Sequence, residues 1–268
     1  MFGYGYYGQE VFKHRDERTT MTLQDRITAW IKDYAHTANM KSLVVGISGG
    51  IDSAVVSALC ARTGLPTVAV TMPIRQRPDL HDLSMRQGQW LISQFPNVRH
   101  HVVDLTPVFD AFENRMNPYN DLLAFANSRS RLRMVTLYQI AQSTQGLVVG
   151  TGNKVEDFGV GFYTKYGDGG VDISPIADCY KTEVWQMGRE LGVLDDIINA
   201  APTDGLWDDG RTDEDQLGLT YADLEVAMRM DLGEMQCDSA ELISNLDKYR
   251  AIRSRSLHKM NPIPVFKK

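Results

Sequence analysis

Two hydrophobic periods alternate along this chain. Leu23, Ile27, Trp30, Ile31 and Tyr34 recur at three- and four-residue steps, which predicts a helix over 22–37 with one buried face. The pattern then becomes an unbroken apolar run, Leu43-Val44-Val45-Gly46-Ile47, as expected of a strand covered on both faces. Ala54–Leu59 returns to a helical pattern. Pro66–Met72, reached through Gly64, reads as a second buried strand. Strand, helix and strand at this spacing form the βαβ unit of a parallel sheet, with a right-handed crossover. Further helices are expected over 79–95, over about 120–143, and over 181–191, where Gly192 ends the last of these. Thr106 as cap and Pro107 at the first turn open another. Strands are expected at 98–103 and 146–150, and a final helix over 238–254, with Pro262 and Pro264 forbidding helix beyond. The fold class is α/β, a Rossmann-like three-layer arrangement with a parallel sheet flanked by helices.

The strongest chemical signal sits where the first strand meets the first crossover helix, in Gly46-Ile47-Ser48-Gly49-Gly50-Ile51-Asp52-Ser53. A helix N-terminus carries unpaired N–H groups and partial positive charge, and therefore attracts phosphate. The glycines permit close approach to the main chain, and Ser48 and Ser53 add hydroxyls. Asp52 would repel a phosphate unless a cation lay between them. The loop therefore reads as a cradle for phosphate or pyrophosphate with Mg2+. No Gly-x-x-x-x-Gly-Lys-Ser/Thr occurs, and Gly150-Thr151-Gly152 lacks the third glycine of a dinucleotide fingerprint.

Other stretches gather at the same expected sheet edge. Arg75 and Arg77 lie in a loop over 73–78 and read as solvated. Arg129, Arg131 and Arg133 alternate within the long helix, so they cannot share one face and at least one must turn away from solvent. Phe162–Asp172 is aromatic, polar and glycine-rich, with a surface loop as its simplest reading. Pro202–Leu217 is acidic and turn-rich, a loop able to cover a site.

Composition narrows the partners. A net charge of −6 gives no reason to expect nucleic acid, and no apolar run is long enough to span a membrane. Cys60, Cys179 and Cys237 form neither a zinc pattern nor a disulfide framework, which suits a cytoplasmic, reducing setting. Residues 1–21, rich in Gly and Tyr and then charged, are expected to be a poorly ordered arm or one that packs on a partner subunit. Residues 22–268 are expected to form a single domain.

Three segments taken together, Gly-Ile-Ser-Gly-Gly-Ile-Asp-Ser, Gly-Thr-Gly-Asn-Lys-Val-Glu and Phe-Tyr-Thr-Lys-Tyr-Gly-Asp-Gly-Gly, resemble those of ammonia-dependent NAD synthetases, which are ATP pyrophosphatases with the adenine nucleotide alpha hydrolase-like fold. The resemblance spans about Thr22 to Lys259. It implies ATP-dependent amidation of deamido-NAD by ammonia, through an acyl-adenylate, in a homodimer whose interface includes the helix around Arg131. It assigns ATP phosphates to Gly46–Ser53, with Thr151, Lys181 and Thr203 as further ATP contacts. Mg2+ falls to Asp52 and Glu156, although one extra residue after Glu156 leaves Asp157 as an alternative. Deamido-NAD falls to Arg131, Lys165, Asp172, His258 and Lys259. Asp52, Lys181 and Asp172 are the expected catalytic residues, and either Asp168 or Asp172 is placed to act as a base or only to bind substrate. No cysteine has the setting of a glutaminase nucleophile, so ammonia itself is the implied nitrogen source.

Overall fold

The computed structural model describes residues 21–203 and 212–268. Residues 1–20 of the expected arm and 204–211 of the expected covering loop lie outside that set. Four parallel strands, β1 (Ser42–Gly46), β2 (Thr67–Thr71), β3 (Val98–Val102) and β4 (Gly146–Val148), pair in the order β3-β2-β1-β4. Val44 aligns with Val68 on one side and with Val148 on the other. A bridge from Val149 to Ile173 continues the β4 edge. The chain thus reverses its direction of travel across the sheet between β1 and β4, a position at which open α/β sheets bind ligands beyond their carboxyl ends.

The alternation of a strand explains the layers. Leu43 and Val45 point into one core with α1 (Leu23–Thr37), α2 (Ile51–Arg62) and α6 (Lys181–Leu191). Val44, between them, points into the opposite core with Val70, Phe109 of α4 (Thr106–Glu113) and Phe125 of α5 (Leu122–Thr144). Leu91 of α3 (Pro78–Gln94) covers the outer strands with Ala69 and Val98. Two short helices, α7 (Asp195–Ile198) and α8 (Asp213–Leu217), follow. Then α9 (Tyr221–Asp231) and α10 (Ala240–Met260) pair over Val155, Val160 and Tyr180 and form a third core.

Several expectations are corrected here. Trp30 and Tyr34 are 46% and 43% exposed and pack on each other, 5.9 Å between ring centroids, while Ile27, Ile31 and Ala35 make the buried stripe. Thr106 does not cap α4 through its side chain. Leu105 occupies the cap position, and the Thr106 hydroxyl accepts from the Arg75 N–H at 3.1 Å. The last helix runs on to Met260, carrying His258 and Lys259 with it. The stretch over 218–237, to which sequence patterning assigns nothing, contains α9. Residues 213–217 form a helix with Asp213 and Leu217 buried. Finally, Phe162–Asp172 is not a plain surface loop, because Thr164 is buried and the segment lines the cavity that the Gly46–Ser53 loop also borders.

Candidate active site

A cavity of about 510 Å3 opens at the carboxyl ends of β1 and β4. Every residue from Gly46 to Ser53 lines it, as do Thr151, Glu156, Lys181 and Thr203. The loop holds itself open through its serines. The Ser48 N–H donates to Ser53 Oγ at 3.1 Å, the Gly50 N–H to Ser48 Oγ at 3.2 Å, and Ser53 Oγ to the Gly50 carbonyl at 3.0 Å. Gly50 caps α2 with no side chain, so the first N–H groups of that helix face whatever fills the cavity. Gly49 sits at φ +92°, and a Cβ there would lie 2.8 Å from the Leu80 carbonyl oxygen, which only glycine avoids.

The centre of the cavity wall is a three-charge cluster. Lys181, first residue of α6 and 1% exposed, places Nζ 2.5 Å from Asp52 Oδ2 and 2.8 Å from Glu156 Oε1. Asp52 comes from the first turn of α2, and Glu156 opens a π-helical turn, Glu156–Val160, of a type common at functional sites. Asn153 binds both partners. Its Nδ2 donates to Asp52 Oδ1 at 3.3 Å, and its Oδ1 accepts the Glu156 N–H at 3.0 Å. The Tyr221 hydroxyl donates to Glu156 from the other side. One ammonium serves two buried carboxylates, so their affinities for protons diverge. Burial, with Lys181 opposing it and Glu156 adding to it, pushes Asp52 up to about 6. Glu156 is buried too, yet the charge of Lys181 and the hydrogen bonds from Lys181 and Tyr221 hold it below the ordinary range. Lys181 loses solvation, but the two carboxylates raise its affinity for its proton.

Asp157 does not join this cluster. It is packed against Gly152, where a Cβ would lie 2.0 Å from Asp157 Oδ2. Burial first, then the charges of Asp168, Glu156 and Asp52, raise it well above the usual carboxylate range. Glu156 shares the Lys181 ammonium with Asp52, while Asp157 lines the same cavity beside Gly152. Among the described residues, no group of three or more His, Cys, Asp or Glu side chains is set to hold a metal. Two carboxylates beside a phosphate loop do fit Mg2+, which takes one or two carboxylates and completes its shell with water and substrate phosphate.

The two aspartates of the glycine-rich segment separate. Asp168 lines the cavity and accepts from Ser130 Oγ at 2.6 Å and the Thr164 N–H at 3.0 Å, and burial raises its affinity for a proton. Asp172 is exposed and does not line the cavity. Its carboxylate accepts from the Tyr138 hydroxyl at 3.0 Å and the Val148 N–H at 2.8 Å, tying α5 to β4. Arg131, Lys165, His258 and Lys259 line an adjoining groove of about 560 Å3, and Lys259 also reaches the main cavity. Four of the five expected dinucleotide residues therefore converge, and Asp172 stands apart.

Of the alternating arginines, Arg133 turns inward. It donates to the Met72 carbonyl and to Gln76 Oε1, both at 3.0 Å, and lines the cavity. Burial, with the charge of Arg129 nearby, lowers it to about 10. Arg75 is exposed and Arg77 half-buried, and both pair with surface carboxylates, as expected of solvated arginines. Sequence reasoning singled out none of Arg133, Tyr221 and Asp213 as a site residue. The alternation of arginines required one of them to turn inward, but no pattern in the sequence marks Tyr221 or Asp213.

A parallel sheet with a serine-glycine phosphate loop at its reversal point, faced by carboxylates and a buried lysine, defines a nucleotide-using α/β enzyme. The sequence matches the NAD synthase family over residues 23–267, and the chain belongs to that family. It is 40% identical over 204 residues to the NH(3)-dependent NAD(+) synthetase of Finegoldia magna, covering 76% of this chain and 82% of that one. It is 38% identical over 242 residues to the enzyme of the same name from Carboxydothermus hydrogenoformans, covering 88% and 93%. A solved NMN synthetase from Francisella tularensis superimposes with a TM-score of 0.82 at 31% identity, over 92% of this chain and 98% of the other. Among the described residues, no helix is long and apolar enough to cross a membrane.

Proposed function

We propose that this chain joins ammonia to the nicotinate carboxylate of deamido-NAD at the expense of ATP, giving NAD, AMP and pyrophosphate. The observation that carries this reading is the meeting, in one cavity of a NAD synthase family member, of the Gly46–Ser53 loop, the Asp52–Lys181–Glu156 cluster and the Tyr163–Gly170 segment. A carboxylate is a poor acyl donor because its oxygen leaves badly. In the first step a carboxylate oxygen attacks the α-phosphorus of ATP, an acyl-adenylate forms, and pyrophosphate leaves with the bonding pair. In the second, the nitrogen of ammonia attacks the acyl carbon, the C–O bond to AMP breaks, and the nitrogen sheds a proton.

The residues divide this work. Gly46–Ser53 and the open end of α2 hold the β- and γ-phosphates as charge grows on them. Asp52 and Glu156 would hold Mg2+, which neutralises phosphate charge when bound. Lys181 would then turn from the carboxylates to the phosphates. Thr151 and Thr203 border the ATP space. Arg131, Lys165, His258 and Lys259 would take the phosphates of the dinucleotide in the adjoining groove. Asp168, whose burial raises its affinity for a proton, is suited in its ionised form to receive one from attacking ammonia, whereas the exposed Asp172 is better suited to binding or to bracing α5. Leu122, Leu123 and Val135 are exposed apolar side chains on α5, which supports a second copy packing there as a homodimer. The three free cysteines suit cytoplasmic residence, and the net charge of −6 argues against nucleic acid.

A second reading has one observation in its favour: the 31%-identical neighbour is an NMN synthetase. In that reading the mononucleotide replaces the dinucleotide as acceptor. The test is pyrophosphate release from ATP and Mg2+ with deamido-NAD or nicotinate mononucleotide, with ammonium present or omitted. Release that requires deamido-NAD, with amide formed only when ammonium is added, is the expected result. A higher kcat/KM for the mononucleotide would establish the second reading. Release indifferent to either acceptor would refute both.

A further inference from the structure

Glu156 can serve beside Asp52 only if something holds its carboxylate in place. Glu156 opens a single π-helical turn, a weak scaffold for a side chain that must face Asp52 across the cavity. Lys181 bonds Glu156 Oε1, but that bond would be given up when the ammonium turns to phosphate. Among the described residues, two further side-chain partners of Glu156 stay in place, Asn153 and Tyr221, and only Tyr221 is free of a bond to Asp52. Tyr221, first residue of α9 and 2% exposed, sends its hydroxyl to the same oxygen. Its ring is fixed edge-on against Trp185 at 5.7 Å, and the Lys181 ammonium lies 4.9 Å from the ring centroid. The same hydroxyl lies 3.2 Å from Asp213 Oδ2, in the first turn of α8. The Asp213 N–H in turn donates to the Pro202 carbonyl at 3.0 Å, and Pro202 lines the cavity. The phenol has a single proton, and Glu156 holds the nearer of the two carboxylates competing for it.

We propose that Tyr221 is a positioning residue of the reaction. Its hydroxyl keeps Glu156 turned toward Asp52, so that the pair offers one cation position to the metal–nucleotide substrate after Lys181 has left. This rests on the reading of Asp52 and Glu156 as metal ligands. Partners of this kind are worth about 10–100-fold in metal affinity or activity. Tyr221 therefore acts on the metal–ATP side of the cavity, and the dinucleotide groove should not sense its loss.

The test measures Mn2+ binding by electron paramagnetic resonance to the full chain with α,β-methylene-ATP, for the parent, Tyr221→Phe, Asp213→Asn and Glu156→Gln. Phe keeps the ring against Trp185 and removes only the hydroxyl. Tyr221→Phe is expected to weaken Mn2+ by about 10-fold or more, to raise KM for Mg·ATP, and to leave KM for deamido-NAD within twofold. Asp213→Asn removes the competing carboxylate, and its Mn2+ affinity should exceed the parent's. This second variant decides the matter if Tyr221→Phe does not fold. Parent-like Mn2+ affinity in Tyr221→Phe, or an unchanged or weakened affinity in Asp213→Asn, would overturn the proposal. Parent-like affinity in Glu156→Gln would instead overturn the metal-ligand reading beneath it.

Discussion

Lys181→Met isolates the charge at the centre of the site. Methionine keeps the length of the stem, and its sulfur remains beside the rings of Tyr221 and Trp185, which lie 4.9 and 6.0 Å from the ammonium it replaces. What is lost is, among the described residues, the one cation bonded to both Asp52 and Glu156. Removing one partner from a buried ion pair typically costs 3–5 kcal/mol, because the remaining charge is left uncompensated. At about 2–4 °C per kcal/mol for a domain near this size, the melting temperature should fall by roughly 6–20 °C without metal. Millimolar Mg2+ should recover part of that loss, about 2.7 kcal/mol when it stands at 100 times its Kd. It should not recover pyrophosphate release if Lys181 is, as proposed, the point charge that meets the phosphates. Calorimetric melts with and without Mg2+, alongside a pyrophosphate assay, read both effects. A variant as stable as the parent without metal would refute the ion-pair reasoning. Turnover restored by Mg2+ would refute the phosphate role.

Three further substitutions probe separate parts of the site. Asp168 has a raised affinity for its proton in the folded chain, so the folded state holds that proton over a pH window where the unfolded state has released it. Its contribution to stability therefore falls as pH rises from the ordinary carboxylate range through the raised value. Asp168→Asn, which keeps an oxygen for Ser130 and the Thr164 N–H, should melt higher than the parent at pH 8 and lose that advantage near pH 3. Its turnover should drop on the order of 100-fold, the contribution of a positioned base; a lower melting point at pH 8 would contradict the burial argument. Gly49→Ala places a Cβ on a φ of +92° and 2.8 Å from the Leu80 carbonyl, so roughly 1–3 kcal/mol of stability and most pyrophosphate release should be lost. Asp52→Asn should fold and melt cooperatively yet show no Mg2+-dependent pyrophosphate release, and near-parental turnover would remove Asp52 from the metal role.

The sequence carries the local parts of this molecule well. The apolar run into Gly46–Ser53 and the start of a helix at Lys181 both follow from neighbours in the chain, and both stand where patterning puts them. What it does not carry is pairing at long range. Tyr221 meets Glu156 across 65 positions and Asp168 meets Ser130 across 38, and neither pairing leaves a periodic trace. Asp168 and Asp172 look alike in a glycine-rich string. They part company only because the fold buries one behind Ser130 and leaves the other exposed beside Tyr138. Trp30 and Tyr34 fit a helical stripe, but the face that packs into the core is narrower than the stripe, and Ala35 fills it instead. The third core was missed with α9, whose buried positions include Tyr221 and Glu225, residues a hydrophobicity pattern counts weakly or as polar.

The most direct test of the central claim follows one oxygen atom. Deamido-NAD carrying 18O at both oxygens of its nicotinate carboxylate would be turned over with ATP, Mg2+ and ammonium, and the AMP analysed by mass spectrometry. Activation through an acyl-adenylate transfers one carboxylate oxygen to the phosphate of AMP, so each AMP formed should carry a single 18O. AMP free of label, with NAD still produced, would contradict the account.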